Sequence, residues 1–401
     1  MIKHALLITM LSCMLLTCRQ ASAQSSFCAA HPDKLACLGS NLFASPQIDP
    51  LGPISTALGS QLGLVPLASP ASGIIYSVDP SLGIPTKSTE TFGPVLTERG
   101  ETIGRHKLFV ASTYQWFTFN NFDGVDLKRY PLVFNVCDQG TGQCGVIATS
   151  NRVDAKINQI TFFGTFGLTD RIDVSIAVPL LDAKLSVAGV SCTICQTQVF
   201  SDSTQVVFTP AAVAGSARGV GDVVLRGKAL VWKGKRLRLA FGADVRLHTG
   251  DEFNFLGTGG MGVKPFVAAS VRGRFAPHVN FGYQWNGDSA IAGPVPGVKG
   301  KLPDNLFYNG GFDVRVAKKL TFAADFLGER VFSAQRILAV TTAGQPGIAL
   351  VQGSFNTAKG AYGIKINPIG NLLITANVFT RMDHNGLRNQ LVPLGGISYI
   401  F

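Results

Sequence analysis

Leu237-Arg238-Leu239-Ala240-Phe241-Gly242-Ala243-Asp244-Val245-Arg246-Leu247-His248 sets Leu237, Leu239, Phe241, Ala243, Val245 and Leu247 against Arg238, Asp244, Arg246 and His248 at the alternate positions. Successive side chains of a strand point to opposite faces, so this stretch has one apolar face and one wet face. Two others read the same way. In 278–286, Val279, Phe281, Tyr283 and Trp285 alternate with His278, Asn280, Gln284 and Asn286; in 305–317, Leu306, Tyr308, Phe312, Val314 and Val316 alternate with Asn305, Asn309, Asp313 and Arg315. A period-two pattern with aromatic residues outside and charges inside is that of a transmembrane barrel strand.

Working outward, segments of this kind fall at 106–119, 152–168, 171–186, 219–232, 235–248, 262–275, 277–287, 305–317, 319–332, 355–367, 371–383 and 391–401. The stretch 153–166 is the least regular, and a bulge near Gln159 would restore its parity. Short links at 168–171, 233–235, 275–277, 317–319 and 367–371 alternate with long ones at 120–151, 187–218, 249–261, 288–304, 333–354 and 384–390. Tight turns on the periplasmic side and long loops outside produce this alternation in a membrane barrel. The expected fold is therefore all-β, a transmembrane antiparallel β-barrel of about twelve strands. A secreted β-sandwich is the soluble alternative, and it has no reason to alternate link lengths.

Composition agrees. The chain is 46% hydrophobic, yet beyond its N-terminus no run reaches the roughly 18 to 20 apolar residues of a membrane helix. Only helices and closed barrels satisfy every backbone hydrogen bond inside lipid. The first residues carry Lys3 and His4, an apolar run from Ala5 to Cys18, and Ala21-Ser22-Ala23 before Gln24, the order of a cleaved secretory signal over 1–23. A lipoprotein reading of Cys18 is disfavoured by Thr17 before it. Residues 24–105, rich in Pro, Gly, Ser and Leu, form an irregular N-terminal extension that either hangs as a tail or enters the lumen as a plug, and 106–401 form the barrel.

Six cysteines remain after cleavage, as Cys28 with Cys37, Cys137 with Cys144 and Cys192 with Cys195. Close pairs in an oxidising compartment point to disulfides that tie off loops. The alternative, a metal site at Cys192-Thr193-Ile194-Cys195, lacks a second pair. The net charge of +11 comes from Lys and Arg spread along strands, not from basic runs, and export further argues against nucleic acid.

Several motifs resemble a family of outer-membrane barrels named for a meta-pathway of phenol degradation. They are Pro66-Leu67-Ala68-Ser69-Pro70-Ala71-Ser72-Gly73, Ser88-Thr89-Glu90-Thr91-Phe92-Gly93-Pro94 with Glu98-Arg99-Gly100-Glu101-Thr102-Ile103-Gly104, Phe122-Asp123-Gly124-Val125-Asp126-Leu127, and Gly219-Val220-Gly221-Asp222-Val223 followed by Thr249-Gly250-Asp251-Glu252. The chain departs from the family's pattern in having His248 before Thr249. The resemblance implies transport of hydrophobic or aromatic compounds; it carries scaffold motifs and no catalytic ones.

Inward parity nominates a pore lining of Arg238, Asp244, Arg246, Lys264, Phe266, Arg272, Arg274, Phe307, Asp313, Arg315, Phe379 and Arg381, with Phe163 as a further inward aromatic. Arg or Lys facing lipid near the midplane would cost roughly 2 to 4 kcal/mol each, so these side chains must meet water or each other. Two readings remain open: a basic stripe that favours anions, and a network of paired charges that fills the barrel. Ile397, Tyr399 and Phe401 share one face of the last strand, as in the C-terminal signal read by the barrel assembly machinery. Gly257-Thr258-Gly259-Gly260-Met261-Gly262 matches a dinucleotide fingerprint by letter, but no helix follows to face a pyrophosphate. His248, Asp251 and Glu252 cluster at a strand end without a nucleophile motif. The expectation is a channel or transporter in the outer membrane for small hydrophobic, aromatic or anionic solutes, with membrane lipid as its surroundings and no cofactor or metal. A non-conducting surface barrel and a barrel hydrolase are the alternatives.

Overall fold

The structure, a computed structural model, describes residues 27–38, 59, 76–78, 85–87, 91–137, 144–192, 208–293, 296–342, 344–389 and 391–401. The expected signal at 1–23 lies outside them.

Twelve antiparallel strands form the wall. They are β1 (Leu108–Phe122), β2 (Cys144–Gly167), β3 (Ile172–Cys192), β4 (Phe208–Val220, resumed at Val224–Lys233), β5 (Leu237–Arg246), β6 (Gly262–Val271), β7 (Phe275–Asn286), β8 (Asn305–Ala317), β9 (Leu320–Thr342), β10 (Gln345–Ile366), β11 (Leu372–Arg381) and β12 (Leu391–Ile400). Each pairs with its neighbours in sequence. The ring closes because β1 pairs with β2 from Leu108↔Phe166 to Phe119↔Ala155 and with β12 from Leu394↔Gln115 to Ile400↔Phe109. Closure leaves no row of open N–H and C=O groups in the hydrocarbon, which is the condition for crossing a bilayer with strands.

Alternation sets the faces. Along β7, Val279, Phe281 and Trp285 are more than half exposed while His278, Asn280, Gln284 and Asn286 are buried inside. Ile397, Tyr399 and Phe401 lie on the outer face as expected.

The proposed bulge at Gln159 does not occur. Gln159 sits in unbroken register opposite Gln115 on one side and Leu181 on the other. What misleads is a change in the lumen. Above Gln159 the inward residues Val153, Ala155 and Ile157 are apolar because they join an interior cluster with Phe117, Phe119, Leu185 and Val187. Below it the inward residues are Thr161, Phe163 and Thr165, polar but for the expected inward Phe163, while Ile160 and Phe162 face out. Apolar residues therefore pass from the inner face alone to the outer face and Phe163, while the pleat does not change. Register shifts fall instead at Leu239/Ala240, Arg315/Ala317 and Val331/Ala334.

The long links are also shorter than expected. β2 begins at Cys144, β3 runs to Cys192, and β9 and β10 meet near Gly344, so much of 120–151, 187–218 and 333–354 is ladder, not loop. Cys137 and Cys144 stand opposite each other in the hairpin of 130–137 with 144–151. Their sulfurs, the Cys192 side chain and Cys195 lie outside the description. Cys28 and Cys37 are disulfide-bonded.

Candidate functional site

Residues 91–104 run inside the ring, where their irregular backbone must find partners among lumenal side chains. The N–H groups of Val95, Leu96 and Thr97 donate to Asp325 Oδ2 on β9 at 3.0, 2.8 and 3.2 Å. Three successive donors converging on one carboxylate oxygen make a nest for the anion. The other oxygen, Oδ1, lies 2.8 Å from His278 Nε2, and His278 Nδ1 is 3.3 Å from Asp313 Oδ1. Arg99 donates to Asp313 Oδ2 at 2.8 Å. Phe92 N donates to Thr321 Oγ1, Gly100 N to Ser270 Oγ, and Ile103 N to Asp173 Oδ2. Lys365 Nζ donates to Pro94 O. Glu98 pairs with Arg226 and, at 2.9 Å, with Lys228. Voids of only about 20 and 10 Å³ flank this segment. Each has room for about one water.

On the long-loop side of the segment lies a larger cavity of about 180 Å³. Leu96 and Glu98 form its floor, Phe266, Phe307 and Leu327 part of its wall, and Leu256, Gly257 and Thr258 its cover. The two rings lie flat on the wall because the cross-strand partners Gly242 and Gly282 lack side chains: a Cβ would stand 2.4 Å from Phe266 Cζ or 2.5 Å from Phe307 Cζ. Arg226 and Lys264 cover the rings at 5.2 and 5.4 Å from their centroids.

The cover is loop 247–261, held down by Asp222. The break in β4 at 221–223 turns this carboxylate inward, where it accepts from Gly250 N at 3.1 Å, Thr258 N at 2.8 Å and Thr258 Oγ1 at 2.7 Å. Thr249 Oγ1 donates to Gly221 O. The two halves of the Gly219–Val223 and Thr249–Glu252 motif thus meet, and their role is to fold the loop into the lumen. Gly257, the first glycine of the rejected dinucleotide match, packs against Asp222, where a Cβ would meet Oδ1 at 2.4 Å. The disulfide-tied segment 27–38 lies on this loop. Lys34 pairs with Asp251 at 2.8 Å, Leu35 N donates to Asn254 Oδ1, and the Phe27 and Phe253 rings are 4.3 Å apart.

Of the residues nominated from sequence, Asp244, Arg246, Lys264, Phe266 and Phe307 line the cavity. Asp313 lies beneath the internal segment, and Phe379 and Arg381 sit on β11 away from the cavity. Arg238 is turned back onto Gly234 O and Leu237 O. Arg272 lies just beyond β6 and Arg315 near the end of β8, and Arg274, expected to face inward, is exposed in the short turn, where its Nε donates to Arg315 O. Among the cavity-lining basic residues, Lys264 pairs with Asp244 at 3.0 Å, Arg246 approaches Asp222 at 3.8 Å, and Arg226 is shared between Asp244 and Glu98. Sequence reading missed Leu96 and Glu98. The signal was present in Glu98-Arg99-Gly100-Glu101, a dense charge cluster in an extension otherwise poor in charge. Among the described residues His248 makes no hydrogen bond to Asp251 or Glu252, and Asp251 instead caps the turn at Glu252–Asn254.

A closed twelve-strand ring, apolar outside and charged inside, defines an outer-membrane β-barrel. The family that its motifs resemble is also the one whose model matches: residues 138–335 match the model of the family described as "Putative MetA-pathway of phenol degradation". No curated protein matches the chain. Solved structures similar to it include the COG4313 outer membrane channel from Pseudomonas putida F1, at 11% identity over 75% of this chain and 97% of that one with a TM-score of 0.48. A Pseudomonas aeruginosa FadL homologue is similar at 9% identity over 74% and 89% with a TM-score of 0.35. The Pseudomonas putida toluene transporter TodX is similar at 10% identity over 74% and 88% with a TM-score of 0.33.

Proposed function

We propose that the barrel is an outer-membrane channel for small, uncharged, ring-sized hydrophobic solutes, which occupy the cavity between segment 91–104 and loop 247–261 on their way through. The observation that carries this reading is the cavity itself. At about 180 Å³ it exceeds the roughly 150 Å³ engineered apolar cavity that accommodates benzene. Its apolar surface comes from Phe266, Phe307, Leu96, Leu181, Leu256 and Leu327. Charges in the wall are matched with one another, so an anion would have to compete with Asp222, Asp244 and Glu98 for every cation it met. That favours neutral solutes over the anionic ones that inward basic residues alone suggested. The family's description, a pathway of phenol degradation, agrees with aromatic solutes.

A second reading rests on the segment at 91–104: a barrel closed there would bind solute without passing it. Binding is tested by the fluorine NMR signal of fluorobenzyl alcohol added to the protein in nanodiscs. A broadened, saturable bound signal is expected, and it should vanish when Leu327→Trp fills the cavity while the heat-dependent gel shift of a folded barrel is kept. An identical signal from the filled variant would remove the cavity from the account.

A further inference from the structure

We infer that the short-turn rim of the barrel is a collar that binds the phosphate headgroups of anionic phospholipids in the adjoining leaflet. The turns at that end are basic in succession: Arg171 in the first, Lys233, Lys235 and Arg236 in the second, Arg274 in the third, Lys318 and Lys319 in the fourth. Asp170 is the one carboxylate side chain in the turn sequences 168–171, 233–236, 272–274, 317–319 and 367–371. All seven basic side chains are exposed, and among the described residues none is ion-paired to a carboxylate.

The other end of the barrel differs. There acidic side chains stand among the basic ones: Arg152 pairs with Asp154, Arg218 with Asp182, Lys301 with Asp304 and Arg336 with Asp123, while Lys128, Arg129 and Lys299 are exposed in loops that also carry Asp126, Asp288 and Asp304. What sets the short-turn rim apart is that its basic residues stand almost without carboxylates among them.

Its height in the membrane selects the partner. Trp232 is 60% exposed and directly precedes Lys233, and Phe275, 56% exposed, directly follows Arg274. Ile369 and Phe401 extend the same apolar band at 72% and 67%. Side chains one residue beyond the lipid-facing band reach the headgroup level, where long Lys and Arg stems keep their charge in the polar layer. A ring of cations at that level meets phosphate, the anionic group of phospholipids, and anionic lipids add a net charge that zwitterionic ones lack.

The test uses the full-length mature protein with Trp116→Phe and Trp285→Phe, leaving Trp232 as reporter, in vesicles of phosphatidylcholine with a minor fraction of phosphatidylglycerol. Brominated chains are placed on one lipid or the other at equal fraction. At low salt the brominated phosphatidylglycerol should quench Trp232 with a relative association about fivefold or more above phosphatidylcholine, the Boltzmann factor for one basic residue at an anionic surface. The preference should fall towards one in high salt and in Lys233→Gln/Lys235→Gln/Arg236→Gln, and a barrel keeping only Trp285, at the other end, should show none. Equal quenching by the two lipids at low salt, or equal preference at both ends, overturns the proposal. So does loss of the preference on adding inorganic phosphate beyond the effect of chloride at matched ionic strength, which would mark a site for free phosphate. Should the triple variant fail to fold, the salt series on the parent protein decides.

Discussion

Asp325 shows how one residue can organise an irregular segment. A carboxylate taken out of water is expensive unless its lone pairs are filled, and here Val95, Leu96, Thr97 and His278 fill them. The dependence is mutual, because those three N–H groups have no ladder to join. Asp325→Ala should therefore cost about 3 to 5 kcal/mol, the range for removing one partner of a buried charged network, and Asp325→Asn distinctly less because one acceptor remains. Urea unfolding of the refolded barrel gives the difference. If the alanine variant loses under about 1 kcal/mol, within the range of an ordinary surface substitution, the segment is not anchored at this carboxylate.

At the scale of elements, strand alternation was legible because the bilayer demands it. Lipid accepts no unpaired backbone and few charges, so β5, β7 and β8 carry their inside and outside faces in plain letters. β2 was less legible, since Val153 and Ile157 face an apolar interior that no local pattern announces. The internal segment was legible as an extension but not as a set of contacts: an irregular chain has no period, and its partners Asp313, Asp325 and Ser270 are far away in sequence. Segment 27–38 and loop 247–261 pose the same problem, with the Cys28–Cys37 spacing as the one local clue.

Their attachment has a pH signature. Burial pushes the Asp251 carboxyl up, but hydrogen bonds from Lys34 and Asn254 outweigh it and leave the group below its ordinary value. The hydrogen bond to Asp251 raises Lys34, with burial opposing. A depressed carboxylate stabilises the attachment above its unfolded pKa of about 3.9, and this is lost as pH falls through the lower folded value; a raised lysine contributes below about 10.4 and is lost as pH rises through the higher one. Hydrogen-exchange protection of residues 27–38 should be flat between these limits and fall on the acid side, and Asp251→Asn should flatten the acid limb. An acid limb unchanged in that variant would mean that other groups hold the segment.

For the whole molecule, the ring, the internal segment and the covering loop enclose, among the described residues, a cavity of molecular size walled by paired charges and flat aromatic rings. Paired charges add specificity of shape more readily than stability, and rings held against glycine are fixed in place. In the function proposed above, small neutral aromatic compounds cross the outer membrane by way of this cavity. The most direct test of this passage is the initial uptake rate of a radiolabelled neutral monoaromatic compound by Gram-negative cells that lack channels of their own for it. Cells producing this chain should take it up several-fold faster than cells producing Leu327→Trp at equal abundance in the outer membrane. Equal rates for the two, or no gain over cells without the protein, would rule out passage by way of the cavity.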